Sequence, residues 1–360
     1  MNAGGWSGRK VLVTGHTGFK GGWLALWLQD LGAEVVGYAL EPATRPSLFE
    51  TAGVAKGMRS IFGDVRDPQK LTKLVSEIQP EIVFHLAAQS LVRPSYADPV
   101  GTYSTNVMGT VHLLEAIRMA GTVKAAVVVT SDKCYENNEW VWGYRETDPM
   151  GGFDPYSNSK GCAELVTAAY RQSFFASGRN KSAKTWIASA RAGTVIGGGD
   201  WSADRLVPDF IRAMSVQEAI RVRNPNAQRP WQHVLEPLGG YLSLAEKLSG
   251  DGGEKYASGW NFGPSDADAI TVGAIVQKLS TLWGPGASFT IDSGEHPHEA
   301  SFLKLDCSKA RAHLGWQPRI GVDTALAWTV EWHKAMLSGA DMRAVTKAQI
   351  ARFQSLQAVH

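Results

Sequence analysis

A glycine-rich heptapeptide, Gly15-His16-Thr17-Gly18-Phe19-Lys20-Gly21, lies between the apolar run Val11-Leu12-Val13 and an apolar stretch from Gly22 to Leu31. No other segment restricts the fold as strongly. Glu34-Val35-Val36-Gly37-Tyr38 follows, so the order strand, turn, helix, strand predicts the first βαβ unit of a parallel sheet. Glycines spaced this way permit a tight turn, close approach of a ligand to the backbone and close packing of helix on strand. The amides that open the helix then suit the pyrophosphate of a dinucleotide. Taken alone, the GxxGxxG spacing also fits a plain turn; its place after a buried strand favours the dinucleotide.

Further short apolar runs occur at Ile82 to Ala87, Ala125 to Thr130 and Trp186 to Ala190, each separated by enough chain for a crossover helix. Their hydrophobicity is continuous rather than alternating, as in strands covered on both faces. The predicted fold is α/β, with a Rossmann-type doubly wound parallel sheet over residues 1–190. After Arg191 the texture changes to Gly197-Gly198-Gly199-Asp200-Trp201, Asn224-Pro225-Asn226 and loops rich in Gly and Asp. Residues 191–360 are therefore read mainly as a smaller, mixed α/β substrate-binding domain, with a return to the first domain near 232–257. The last segment is predicted to be helical, with Asp323 as a helix N-cap.

The remaining composition limits partners and compartment. Basic and acidic residues number 36 and 34 and are scattered, giving a net charge of +2 and no like-charge run that would track a nucleic acid. The three cysteines, Cys134, Cys162 and Cys307, have neither CxxC spacing nor clustered histidines, which speaks against a disulfide framework and a zinc or other metal site. The N-terminus lacks the basic start and apolar core of a signal peptide, and no run of about 18 apolar residues suggests a membrane span. A cytoplasmic protein is expected.

Two segments extend the cofactor reading. Asp64-Val65 follows the expected third strand, where an Asp can accept from an adenine amino group; its plain alternative is a solvated turn residue. Leu86-Ala87-Ala88-Gln89 ends the fourth strand, and its small residues let an adenosine and ribose lie close to backbone. At the end of the second strand Glu41 and Arg45 leave the choice between NAD and NADP open, because an acid there holds a ribose 2′-OH and an Arg accepts a 2′-phosphate.

Tyr156-Ser157-Asn158-Ser159-Lys160 carries the chemistry. The spacing puts Tyr156 and Lys160 one turn apart on one helix face. An ammonium beside a phenol is expected to lower the phenol's pKa, so that Tyr156 removes a hydroxyl proton as hydride leaves the adjoining carbon. Upstream, Val127-Val128-Val129-Thr130-Ser131-Asp132-Lys133 reads as a strand ending in polar side chains at the sheet edge where chemistry gathers. Ser131 is a donor to a substrate oxygen and Asp132 an acid, with strand-end capping as the plain alternative.

Together these elements resemble the extended short-chain dehydrogenase/reductase family that processes sugar nucleotides. The likeness spans roughly the whole chain and includes Asn106-Val107-Met108-Gly109-Thr110 and Leu314-Gly315-Trp316-Gln317-Pro318. Within the family the chain is most similar to the CDP-glucose 4,6-dehydratases. That similarity rests on the glycine loop, Ser131 to Tyr135, Gly199-Asp200-Trp201 with Asp204 to Pro208, and Arg229 to Pro237.

The resemblance implies bound NAD and a nucleotide-sugar substrate, CDP-glucose, which loses water to give CDP-4-dehydro-6-deoxyglucose, a step of deoxysugar biosynthesis. It assigns Tyr156, Lys160 and Ser131 to the C4 hydroxyl and Asp132 to the departing C6 hydroxyl. It places Arg229, and secondarily Arg205, on the diphosphate. The dTDP-glucose dehydratases carry an Asp-Glu pair where this chain has Asp132-Lys133, and their Glu is the C5 base. Lys133 is then either the base or a cation that stabilises the enolate while another residue acts. Thr194 stands where related enzymes often have a phosphate-contacting Asn, and His233 is read as structural.

By the same analogy the helices bearing Asn106 to Ala116 and Tyr156 to Phe174 pair across a two-fold axis, giving a homodimer or a dimer of dimers. Two rivals are kept. A nucleotide-sugar 4-epimerase needs no acid to expel water, and a non-catalytic dinucleotide-sensing protein has no use for Ser131, Tyr156 and Lys160 together.

Overall fold

Seven strands pair in parallel in a single sheet. The first six in the chain are β1 (Lys10–Thr14), β2 (Glu34–Ala39), β3 (Arg59–Phe62), β4 (Ile82–His85), β5 (Ala125–Val129) and β6 (Trp186–Ala192). The seventh is Gly259–Phe262, and the order across the sheet is Gly259–Phe262, β6, β5, β4, β1, β2, β3. The computed structural model describes residues 5–175, 185–292, 294 and 302–356.

Both faces of the sheet are covered, which is why its strands are apolar without alternation. Val11 and Val13 pack into one core with Trp23, Trp27, Leu238 and Trp332, while Leu12, between them, belongs to a second core with Leu71, Leu113 and Ile117. Helix α1 (Phe19–Asp30) covers the first face and is buried nearly all round, so it carries almost no amphipathic stripe.

The chain returns to this layer twice after residue 190. Helix Leu235–Ser249 packs on β5 and β6 and leads into the edge strand Gly259–Phe262. The last helix, Met342–Ser355, packs against α1, where Arg343 donates to Gly53 O, Gln29 Oε1 and Lys56 O at 2.7, 2.9 and 2.9 Å.

A third core gathers Val207, Phe210, Ile275, Leu279, Leu326 and Val330 from helices Leu206–Ser215, Val272–Trp283 and Val322–Leu337. Asp323 is not the N-cap expected of it. Gly321 caps Val322–Leu337, and Asp323 sits in the first turn, where it pairs with Lys278 at 2.7 Å and still complements the helix dipole. Among the described residues no helix is long and apolar enough to cross a membrane.

Candidate active site

The carboxyl ends of β5 and β6 open onto a cleft of about 420 Å³ between the sheet and the third core. Where β5 ends, Ser131 is extended (φ −155°, ψ 158°) and caps a short turn, Asp132–Cys134. Its Oγ accepts from Lys133 N at 3.2 Å and donates to Asp132 Oδ1 at 2.8 Å. Helix Pro155–Tyr170 begins at Asp154, whose side chain accepts from Ser157 N, with Pro155 in the first turn where its missing N–H costs nothing. That start fixes Tyr156 and Lys160 one turn apart, both buried.

Ser131, Asp132, Lys133, Tyr156, Arg205 and Arg229 all line the cleft; Lys160 is buried and does not. The electrostatics depart from the expectation that Lys160 lowers the phenol. Burial pushes Tyr156 up to about 12, opposed by its hydrogen bond with Ser131 and by Arg205, and reinforced by Asp132 and Asp154. Lys160 is itself brought down to about 8 by burial, and its Nζ donates to Val129 O at 3.4 Å instead of pairing with the phenol. Burial therefore shifts both groups toward their neutral forms, which holds the phenol neutral while Lys160, at about 8, stays mostly an ammonium near neutral pH. Burial also raises Asp132, against Ser131, Lys133, Lys20 and Arg229, a shift in the direction that suits an acid.

The two arginines come from different elements. Arg205 is held by Asp200 at 2.9 Å and reaches Ser90 Oγ at 3.3 Å, so it stands beside Tyr156 as one half of an ion pair. Arg229, on strand Gln228–Pro230, donates to Gln228 O at 3.0 Å and acts on Asp132 through its charge. Sequence reasoning missed Lys20, Asp200, Arg93 and Arg223, which also line the cleft. Arg93 and Arg223 share Asp204 at 3.3 and 3.4 Å. Lys20 was open to view inside the glycine loop and Asp200 inside Gly199-Asp200-Trp201; the two arginines carried no local signal.

The glycine loop forms a cradle fit for a dinucleotide pyrophosphate. Gly15 has φ +78°, and a Cβ there would meet Ala87 N at 2.7 Å. A Cβ on Gly21 would run into the Gly15 carbonyl. Gly18 caps α1 without any side-chain acceptor, which leaves the first helical amides for an anion. Phe19, in the first turn, is partly buried against the first core.

The other loop side chains serve the cradle's shape. Thr17 Oγ1 donates to Leu40 O at 2.9 Å. His16 Nε2 bonds Ser60 Oγ at 2.7 Å over Gly37, and burial lowers the imidazole to about 4, keeping it neutral.

At the far end Asp64 lines a shallow recess with Ser104, Met108 and His112. Its carboxylate is not simply solvated: Arg66 grips it through Nη2 and Nε at 2.6 and 2.9 Å and holds its pKa down. Val65 is buried, and its carbonyl accepts from His112 Nδ1 at 3.0 Å.

Beyond β4, Leu86 N donates to Thr14 O at 3.1 Å and Ala87 N to Thr14 Oγ1 at 3.2 Å, holding the Leu86-Ala87-Ala88 backbone against β1. Gln89 is turned inward, with Nε2 on Leu91 O and Thr102 Oγ1. Asn106 joins this end to the catalytic helix, donating to Gln89 O at 2.9 Å and to Ser159 Oγ at 2.8 Å. Arg45, exposed, lies 3.9 Å from Glu50.

His233 is structural as expected. It is buried edge-on to Trp23 and Trp328, and its Nδ1 accepts from Leu235 N at 3.3 Å. Thr194 lines the cleft, and its carbonyl accepts from Gln232 N at 3.0 Å.

A family model described as GDP-mannose 4,6 dehydratase matches residues 12–329. The chain belongs to this family. As a member of this dehydratase family it is also an extended short-chain dehydrogenase/reductase, and the six-stranded run from β6 to β3 with its glycine cradle is the part that defines the fold. The chain is 57% identical over 350 residues to a CDP-glucose 4,6-dehydratase of Salmonella typhimurium, with 97% of each chain covered. In structure it is similar to a UDP-glucose 4-epimerase of Thermotoga maritima (TM-score 0.78, 22% identity, covering 91% of this chain and 99% of that one). It is also similar to MoeE5 in complex with UDP-glucose and NAD (TM-score 0.73, 26% identity, covering 91% and 99%).

Proposed function

We propose that this chain is a CDP-glucose 4,6-dehydratase, converting CDP-glucose to CDP-4-dehydro-6-deoxyglucose with no net redox change. The observation that carries this reading is a buried acid, Asp132, held by Ser131 in the same cleft wall as Tyr156. An epimerase needs Tyr156 and Ser131 but has no water to expel. The relative from Salmonella typhimurium supports the choice of substrate.

NAD, when bound in the glycine cradle, supplies the acceptor for the C4 hydride and the donor that returns it to C6. Gly15, Gly18 and Gly21 let the pyrophosphate approach the backbone, and the uncapped start of α1 meets its charge. Tyr156, as phenolate, takes the C4 hydroxyl proton. The positive charges nearby are Arg205, which already opposes the rise of its pKa, and Lys160 one turn along the helix. Ser131, whose hydroxyl donates to Asp132 here, is placed to donate to the C4 oxygen instead. Once C4 is a ketone, the C5 proton is acidic. Asp132, whose pKa burial raises above the ordinary carboxylate value, delivers a proton to the C6 oxygen as water departs. Arg229 holds the diphosphate through its planar fork of donors, with Arg205 as a secondary partner.

Exposed Met108, Leu165 and Phe174 lie on the segments expected to pair with a second copy and support a homodimer or dimer of dimers, which light scattering of the purified protein checks. A cytoplasmic site follows the same reading.

The experiment that tests the substrate is incubation with NAD and a panel of CDP-, dTDP-, GDP- and UDP-sugars, read by mass. Loss of one water from CDP-glucose alone is expected. An isomer of unchanged mass would overturn the reading in favour of an epimerase, and NAD binding without turnover would leave a dinucleotide sensor.

A further inference from the structure

Three charged side chains on the cleft wall, Arg93, Asp204 and Arg223, have no part in the chemistry assigned above, yet they meet across the cleft. Arg93 belongs to the short helix Val92–Ala97, which follows β4 and so moves with the sheet. Asp204 and Arg223 belong to the other wall. Asp204 comes just before helix Leu206–Ser215 and Arg223 just after strand Ile220–Val222, and both elements are anchored in the third core through Val207, Phe210, Ile220 and Val222. One oxygen, Asp204 Oδ1, takes Arg93 Nη1 at 3.3 Å and Arg223 Nη2 at 3.4 Å.

The neighbouring residues return the contact. Arg205 Nη2 donates to Ser90 Oγ at 3.3 Å and to Ser90 O at 3.4 Å, so residues 90–93 and 204–205 are tied to each other twice. Between these ties Asp204 takes φ +60°, a left-handed conformation that is unfavourable for a residue with a Cβ and that Asp tolerates better than most. The two ties differ in permanence. Asp200, which holds Arg205, is buried, whereas Arg93, Asp204 and Arg223 are each 26–39% exposed at the cleft mouth. Ion pairs in contact with water are weak and screened by salt, so this one breaks and reforms readily.

We propose that Asp204 is a positioning residue that clasps the two walls of the cleft, and that opening of the Arg93–Asp204 bridge governs how fast the nucleotide sugar enters and leaves. Arg223 holds the carboxylate ready from its own side. Two guanidinium groups on one carboxylate leave a net positive charge at the mouth, which draws in a diphosphate while the clasp still closes behind it. The ligand named here rests on the nucleotide-sugar reading given above; the clasp itself does not.

The test begins with amide hydrogen exchange in the full-length, NAD-loaded protein without substrate, followed over residues 90–97 and 202–208 at low and high salt. Asp204→Asn removes the charge and keeps a residue at ease with positive φ. We expect it to speed exchange in both segments by about 2–10-fold at low salt, and high salt to do the same to the wild type while hardly changing the variant. Dissociation of CDP, measured by chasing with excess CDP-glucose, should quicken by a similar factor, and KM for CDP-glucose should rise with it. Arg93→Gln should match Asp204→Asn, and the double variant should add little, because both break one bridge. Arg223→Gln leaves that bridge in place and should do less.

Unchanged exchange in Asp204→Asn and Arg93→Gln would overturn the proposal, as would fully additive effects in the double variant. Faster exchange across the whole chain would overturn it too, since that reports lost folding and no clasp. A wild-type protein that binds neither CDP nor CDP-glucose would overturn the substrate reading while the exchange rates still decide the clasp, which keeps the two failures apart.

Discussion

The Ser131 hydroxyl donates to Asp132 Oδ1 across 2.8 Å, so the residue two positions beyond β5 orients the acid that follows it. Asp132 is buried and raised, and the serine bond is the strongest influence holding that rise back. A carboxyl in this state is suited to giving up a proton once per turnover. Asp132→Asn is expected to slow water loss by about 10²–10⁴-fold while C4 oxidation falls much less. Reduced nicotinamide should then accumulate on the protein after CDP-glucose is added. Equal slowing of both steps would count against the role.

Tyr156→Phe removes only the phenol oxygen from a side chain whose ring is already buried. Nicotinamide reduction by CDP-glucose is expected to fall at least about 10³-fold. Cofactor retention, read by fluorescence titration, should remain within a few-fold, because the glycine cradle is untouched. Normal turnover would remove Tyr156 from the mechanism.

Glu164 and Arg191 form a buried pair with Nε–Oε1 at 3.1 Å, and Thr130 and Ser189 donate to the same carboxylate at 2.5 and 2.6 Å. Removing one partner strands the other charge away from water. Glu164→Gln is expected to lower unfolding stability by roughly 3–5 kcal/mol, measured by denaturant titration. Adding Arg191→Met should recover much of that loss, since the apolar replacement leaves no unpaired charge.

Glu236 gives a pH signature. Its Oε1 accepts from the amides of Arg319 and Ile320, both at 2.7 Å, and burial raises its pKa from 4.5 to about 7. The unfolded chain therefore loses this proton first as pH rises. Stability should fall as pH climbs from 4.5 toward about 7 and level off above it, by up to ~3 kcal/mol from this group. Glu236→Gln keeps the acceptor and cannot ionise, so its Tm advantage over wild type should widen between pH 5 and about 7.5 and then stay constant. A constant difference across the range would refute the shift.

Gly15 takes φ +78° with Ala87 N in the way of any Cβ. Gly15→Ala is expected to weaken NAD binding by at least about tenfold and to cost of order 1–3 kcal/mol of stability, both read from thermal shifts with and without cofactor.

Much of the site could be read along the chain because its parts are local. Tyr156 and Lys160 share a face by helical spacing, Ser131 and Asp132 follow a continuous apolar strand, and Gly15 to Gly21 fill one strand-to-helix turn. Each of these depends only on residues a few positions apart, whose geometry is set by the strand or helix itself. Asp323 shows the limit of even this reading: cap identity turns on two residues of backbone, and Gly321 took the place.

The rest was decided by contacts between segments far apart in sequence. Closure of the sheet by Gly259–Phe262, the link from Asn106 to Ser159, the pairing of Arg205 with Asp200 and the approach of Lys20 to Asp132 have no periodicity to announce them. The charge states belong to the same class. Composition fixes which groups can ionise, but burial set by the assembled fold raised Tyr156 and Asp132 and lowered Lys20 and Lys160. The sequence alone determined the chemical parts and their local spacing; the tertiary structure determined which of them meet, and in which protonation state, because desolvation and long-range charge exist only once the chain has closed.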